Sequence, residues 1–139
     1  MTRVAPLLVS LGGVVSVWGS FEAWGVCGNE PCEGPGGQLP HLFIRSGVAF
    51  GFGVATALVG FLLVLLGVAS AWRRGSSLIR GAALALVVLE LAVIGAHIAR
   101  AYVFPEYKVY GPETGLVVVV AGAVLSGVAA WRLPHHGSH

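Results

Sequence analysis

The residue best placed to do chemistry is Glu90, which stands inside a long apolar run, with His97 seven positions later and Arg100 three beyond that. Counting about 1.5 Å per residue from Leu78 puts Glu90 roughly 18 Å along a helix, near the middle of a hydrocarbon layer about 30 Å thick. An ionisable group at that depth is costly, so it tends to face a bundle interior and to mark an ion or proton pathway. His97 falls on nearly the same helical face, about 10 Å nearer the outer surface. With Glu22 and Arg45 these groups could form a polar cluster opening outward, in which carboxyl and imidazole pass protons. The competing reading is structural. Glu90 hydrogen-bonded to Ser10, Ser16, Thr56 or a backbone carbonyl would fix helix packing, while Arg45 and Arg100 snorkel to headgroups or pair with Glu22 and Glu106.

Cys27 and Cys32 are the only cysteines, and they stand in a turn-rich stretch of Gly, Pro, Asn and Glu between Gly25 and Pro40. On the outer side of a membrane they should form a disulfide that closes a short turn. Zinc held by those thiolates with Glu30 or His41 would need a tetrahedral set that this spacing does not favour. Paired histidine ligation of haem is disfavoured because His41 lies outside the second apolar segment and His97 inside the third. The tail 134–139 reads as a solvated terminus, so no metal and no cofactor is expected. There is no Asp in the chain, no nucleophile elbow and no phosphate-binding glycine loop. The expectation is a protein that is not an enzyme.

The elements that must position these groups follow from composition. Of 139 residues, 56% are hydrophobic and 10% charged, against about a quarter charged in soluble domains. Mean hydropathy is +0.86. Such a chain cannot build a water-exposed surface, and a net charge of +2 offers no nucleic-acid footprint. Four apolar segments, over residues 4–21, 43–71, 78–103 and 116–133, are each long enough to cross a bilayer. They predict a single all-α membrane domain, a four-transmembrane-helix bundle. Outer loops run over 22–42 and 104–115, an inner loop over 72–77 and a tail over 134–139. The second segment exceeds the bilayer thickness after Arg45 and is expected to tilt or project. The first leads into the bulky Trp18, Phe21 and Trp24 and so reads as a span, not a cleaved signal peptide.

Charge sets the orientation. Arg3, Arg73, Arg74, Arg80 and Arg132 fall on one side with no acid, whereas Arg45, Arg100 and Lys108 share the other with Glu22, Glu30, Glu33, Glu106 and Glu113. Basic loops stay inside, so both termini are expected to be cytoplasmic and the first loop to be a disulfide-capped extracytoplasmic one. Trp18, Trp24, Trp72, Trp131 and the tyrosines after the third segment fall where interfacial aromatic belts belong.

Helices in lipid pack through small residues. Gly53, Gly60 and Gly67 recur every seven residues in the second segment, with Gly47 and Gly51 four apart near its outer end; Gly122 pairs with Ser126 in the fourth, and the first supplies Gly12, Gly13, Ser16 and Gly19. The Leu62–Leu66 and Val117–Val120 runs are expected to face lipid. The expected function is that of an accessory, scaffold or assembly subunit of a plasma-membrane complex, whose partners are the lipid bilayer and other membrane subunits or further copies of the chain. The alternative is a small oligomeric channel or proton-coupled transporter using Glu90 and His97.

Overall fold

Four helices carry the apolar segments in a computed structural model that describes residues 4–26, 32–34, 37–39, 44–46, 51–72, 77–103 and 114–133. They are α1 (Val4–Phe21), α2 (Phe52–Trp72), α3 (Ser77–Val103) and α4 (Thr114–Trp131). All four are long and apolar enough to cross a membrane. Pro6 is the only proline within them and sits in the first turn of α1, where its missing N–H costs no intrahelical bond.

The helices form a ring in which each packs antiparallel to its sequence neighbour and α4 closes against α1. Contact is uneven: α1 lies tightly between α2 and α4, and α3 completes the ring with thinner contacts to those same two helices. Small residues explain the tight side. Gly12 faces Gly122 and Ser126, and Gly122 in turn faces Gly12 and Ser16, so the two backbones touch without intervening side chains. On the other flank Gly13 faces the Gly60 carbonyl and Gly67 faces Pro6 and Ser10. Ser10 donates to the Val64 carbonyl at 3.3 Å and Ser126 to the Val9 carbonyl at 3.2 Å, tying both flanks to α1 by side-chain hydrogen bonds.

The α1–α4 pair is quasi-symmetric. Gly12-Gly13-Val14-Val15-Ser16 and Gly122-Ala123-Val124-Leu125-Ser126 carry the same order of small and branched residues, and matched positions share the same burial. Two antiparallel helices bearing one motif meet through a local two-fold axis, which is why each glycine meets the other helix's serine.

Two apolar clusters fill the interior. One, in the half away from the long loop, contains Val9, Val59, Leu63, Ala83, Val87, Ala129 and Ala130. The other, at the loop-bearing mouth, contains Trp24, Ile94, Leu116 and Val119 with Phe52 and Val120 packed on it. The leucine and valine runs expected to face lipid divide instead: Leu62, Leu65 and Val117 are exposed whereas Leu63 and Val119 are fully buried. A continuous run on a helix necessarily visits both faces.

The second apolar segment, expected to be a span from residue 43, does not begin as a helix where it is described. Its start is a strand, β4 (Ile44–Ser46), paired antiparallel with β1 (Ala23–Val26), and the helix begins only at Phe52. The 21 residues of α2 then match the bilayer, and residues 44–46 of the apolar segment belong to the sheet. A second ribbon pairs β2 (Cys32–Gly34) with β3 (Gly37–Leu39). Gly51 is therefore not a packing residue: it lies before α2 with φ +79°, a left-handed conformation that favours glycine, and is exposed with open space around it. Gly47, its expected partner, lies outside the described residues. Gly53, Gly60 and Gly67 are buried as helix-packing positions require.

Candidate functional site

The site is assembled on α3. Ala83, Val87, Glu90, Ile94 and His97, spaced alternately four and three residues apart, make one buried stripe turned toward the other three helices. Glu90 is 0% exposed and His97 is 5% exposed. The carboxyl sits between Val87 of the inner apolar cluster and Ile94 of the outer one.

A bulge positions the mouth of the site. In the β1–β4 pair Ala23 faces Ser46 and Gly25 faces Arg45, so Trp24 is an extra residue with no partner across the ladder. Such a bulge re-aims its side chain. The indole is 1% exposed, donates from Nε1 to the Gly19 carbonyl at 2.8 Å and joins the outer cluster. It is thus a plug in the bundle mouth and not part of an interfacial belt; Trp18, Trp72 and Trp131 are the exposed tryptophans. The His97 ring meets Trp24 edge-on at 5.1 Å and Phe52 edge-on at 5.4 Å. Aromatic edges on two sides fix the imidazole at the top of the buried stripe.

Below His97 the α1–α2 seam is polar. Ser20 donates to the Ser16 carbonyl at 2.8 Å, and its oxygen lies 2.7 Å from Thr56 Oγ1, which is also 3.1 Å from the Gly53 carbonyl. Two hydroxyl protons serve three contacts, so the arrangement closes with Ser20 donating to Ser16 and Thr56 donating to Ser20. One turn further in, the Ser16 hydroxyl reaches toward the Glu90 carboxyl. Neither Ser16 Oγ nor either Glu90 oxygen has a hydrogen-bond partner, although all three are buried. Of the partners expected for Glu90, Ser16 is thus the one whose hydroxyl lies toward the carboxyl, short of hydrogen-bond geometry.

The remaining members of the expected cluster separate. Arg100 is exposed, with its guanidinium 6.0 Å from the centre of the Phe52 ring. At the other end of α3, Arg80 lies 5.0 Å from the centre of the Trp131 ring, so a cation–π contact holds α3 at each end. Glu22 instead lines a groove of about 490 Å³ between α1 and α2, with Val14, Trp18 and Phe61 among its walls. Arg45 has its backbone in β4 opposite Gly25, and its side chain lies outside the described residues. Cys27 also lies outside them, and of Cys32 only the backbone, in β2, is described. Among the described residues no three His, Cys, Asp or Glu side chains converge as a metal site would require.

An unpaired buried carboxyl has a measurable consequence. Burying an unsatisfied polar group costs about 1–3 kcal/mol, so Glu90→Leu should leave the purified protein as stable as the wild type or raise its unfolding free energy by about that amount. Thermal unfolding in detergent checks this; a clear loss of stability would show that Glu90 is held by favourable contacts.

Comparison with protein-family models, with curated proteins and with solved structures found no match. Sequence and geometry therefore define a class, a small four-helix bundle with a buried carboxyl.

One feature escaped sequence reasoning. On the side of α3 opposite Glu90, the residues Gly81, Ala85, Val88, Ala92, Gly95 and Ala99 form a second stripe, exposed throughout. Its spacing is readable in the sequence, but only the ring of helices says that it points outward.

Proposed function

We propose that the protein is a non-catalytic accessory, scaffold or assembly subunit of a larger complex in the plasma membrane, and that α3 is its docking helix. The observation that supports this is the outward stripe from Gly81 to Ala99. Exposure to lipid is normal for apolar residues, and α3 also exposes Leu78, Val88, Leu89 and Leu91; what distinguishes it is the exposed glycines and alanines that stand among them. The other helices show lipid large side chains: Leu7, Leu11, Trp18 and Phe21 on α1, Leu58, Phe61 and Leu65 on α2, and Val124, Val128 and Trp131 on α4. In contrast, Gly81 and Gly95 have no atom within 4 Å of where a Cβ would stand. Inside the bundle, small residues are where backbones meet; the same residues facing out favour a further transmembrane helix that itself presents small residues. Purification in mild detergent should therefore yield a stoichiometric membrane partner, with no pH-dependent flux after reconstitution into liposomes. Recovery of an inert monomer without partner or flux would count against both this reading and its alternative.

That alternative is a channel or proton-coupled transporter using Glu90 and His97. The buried hydroxyls of Ser16, Ser20 and Thr56 favour it, but a relay would also have to pass the inner half, where Val9, Val59, Leu63, Ala83 and Val87 fill the interior and Ser10 and Ser126 donate to backbone carbonyls. Flux that is lost in Glu90→Gln would restore it.

Orientation belongs to the same proposal. Arg80 and Arg132 lie at the end of the bundle where α1 begins and α4 ends, which supports cytoplasmic termini. The loop-bearing face is then extracytoplasmic, where a Cys27–Cys32 disulfide would persist. Unreduced protein should resist thiol labelling and take up two labels after reduction; labelling without reductant would refute the disulfide.

A further inference from the structure

The close approach of α1 and α2 leaves a groove beside their contact. The backbones meet at Gly13 and Gly60, where a Cβ on either residue would strike the other's carbonyl oxygen. Next to that contact the half-buried Val17 and Val64 form a floor, and the exposed rings of Trp18, Phe21 and Phe61 stand up as walls. Among the lining residues only Glu22 is charged.

The dimensions of the groove match one leaflet. The 18 residues of α1 rise roughly 27 Å, so Glu22, the next residue, stands at the edge of a hydrocarbon layer about 30 Å thick. Val14, at the deep end, lies about 12 Å below it, near the midplane. A partner helix would cross both leaflets and is about 10–12 Å wide, so it would overlie this groove without filling it. An acyl chain entering from one leaflet is narrow enough and ends at the right depth.

The mouth favours a positive charge. Glu22 is half-buried there and directly follows the C-terminus of α1, the negative end of that helix's dipole. No basic residue stands in the last turn of α1. Trp18, four residues earlier and on the same side, adds an aromatic ring that attracts cations.

We propose that this groove binds one phospholipid with a primary ammonium headgroup, its acyl chain between Trp18, Phe21 and Phe61 and its ammonium on the Glu22 carboxylate. A primary ammonium donates charge-assisted hydrogen bonds to a carboxylate, whereas a glycerol headgroup leaves the phosphate's negative charge facing Glu22. The inference does not rest on the subunit reading, because the groove lies between α1 and α2 and the outward stripe lies on α3.

Photolabelling tests it. The full-length protein is placed in vesicles of equal phosphatidylethanolamine and phosphatidylglycerol, with a trace of one or the other lipid carrying a diazirine midway along an acyl chain. Adducts are mapped over residues 14–22 and 61–64 and, for reference, at the exposed Val124 and Val128 of α4. At the groove the ethanolamine lipid should label at least about threefold more than the glycerol lipid, the scale of an ion pair at a wet surface. The reference positions should show no preference. Glu22→Gln should remove the preference and Glu22→Lys should invert it. Equal groove labelling by the two headgroups would overturn the proposal, and it is the result expected if Arg45 of the neighbouring β4 neutralises Glu22. A preference that persists in Glu22→Gln, or groove adducts no more abundant than at the reference positions, would overturn it as well. The headgroup comparison uses the unmodified chain, so it stands even if a variant fails to fold.

Discussion

Gly12→Val and Gly122→Val should each dismantle the bundle, while Gly81→Ala and Gly95→Ala should leave it intact. A Cβ on Gly12 would lie 2.6 Å from the Gly122 carbonyl oxygen and 2.8 Å from the Ser126 nitrogen; one on Gly122 would lie 2.7 Å from the Gly12 oxygen and 2.8 Å from the Ser16 nitrogen. These are backbone atoms of a facing helix, so no rotamer change relieves the clash. The helices must move apart, and every close contact along the α1–α4 seam weakens together. Overpacking in a core that can adjust costs about 1–3 kcal/mol, and here the rigid backbone places the cost at or above the upper end. A protein with about 5–15 kcal/mol of total stability would lose much of it. Open space surrounds Gly81 and Gly95, and their alanine variants also gain helix propensity. Unfolding in detergent followed by circular dichroism should separate the two pairs; equal behaviour would refute the packing scheme.

The second large effect concerns association. Gly95→Leu, or Ala92→Leu beside it, should keep the melting temperature of the isolated protein and lower partner recovery at least about tenfold, a difference of about 1.4 kcal/mol. The reason is local. Among the described residues nothing touches the outward side of Gly95, so a leucine there is expected to meet only lipid in the monomer. In a complex it would stand between two backbones. Leucine placed at Val14 or Val124, on the large-residue faces, should change neither property. A fall in the melting temperature with Gly95→Leu would mean that the stripe is internal, and unchanged recovery would mean that it docks nothing.

Much of the architecture was legible because lipid is an exacting solvent. Residues 4–21 are helical as the apolar run indicates, and the starts of α3 and α4 fall within two residues of the expected positions. The seven-residue offset between Glu90 and His97 correctly predicts one shared, buried face. The errors arise where hydropathy is silent about partners. The segment from Phe43 is apolar enough to look like the start of a span, but Ile44–Ser46 pair with β1, and Gly51 precedes α2 with positive φ. Trp24 looks interfacial by type and is buried by a bulge that no periodicity announces. Glu22 and Arg100 share the outer end with the site, yet Glu22 faces the α1–α2 groove and Arg100 leans on Phe52.

The two stripes of α3 make the same point more sharply. Ala83-Val87-Glu90-Ile94-His97 and Gly81-Ala85-Val88-Ala92-Gly95-Ala99 have identical spacing. Periodicity finds both and cannot say which faces inward. Elsewhere in the chain small residues mark the interior; in α3 the stripe with Glu90 and His97 takes the inside, where Ser16 and the Ser20–Thr56 pair line the seam, and the glycines face outward. Which group meets Glu90 was likewise beyond the sequence, which offered Ser10, Ser16, Thr56 or a backbone carbonyl. Ser10 donates to Val64 and Thr56 pairs with Ser20, leaving only Ser16.

Site-specific photocrosslinking in native membranes tests the central claim most directly. A benzophenone side chain is placed singly at Gly81, Ala85, Val88, Ala92, Gly95 and Ala99, and at Leu7, Leu11, Leu58 and Leu65 for comparison. The α3 positions should yield one discrete protein adduct, recurring at alternate steps of three and four residues, while the α1 and α2 positions yield lipid adducts alone. Protein adducts spread over all faces, or none on α3, would contradict a docking helix and with it the assignment of this protein as a membrane-complex subunit.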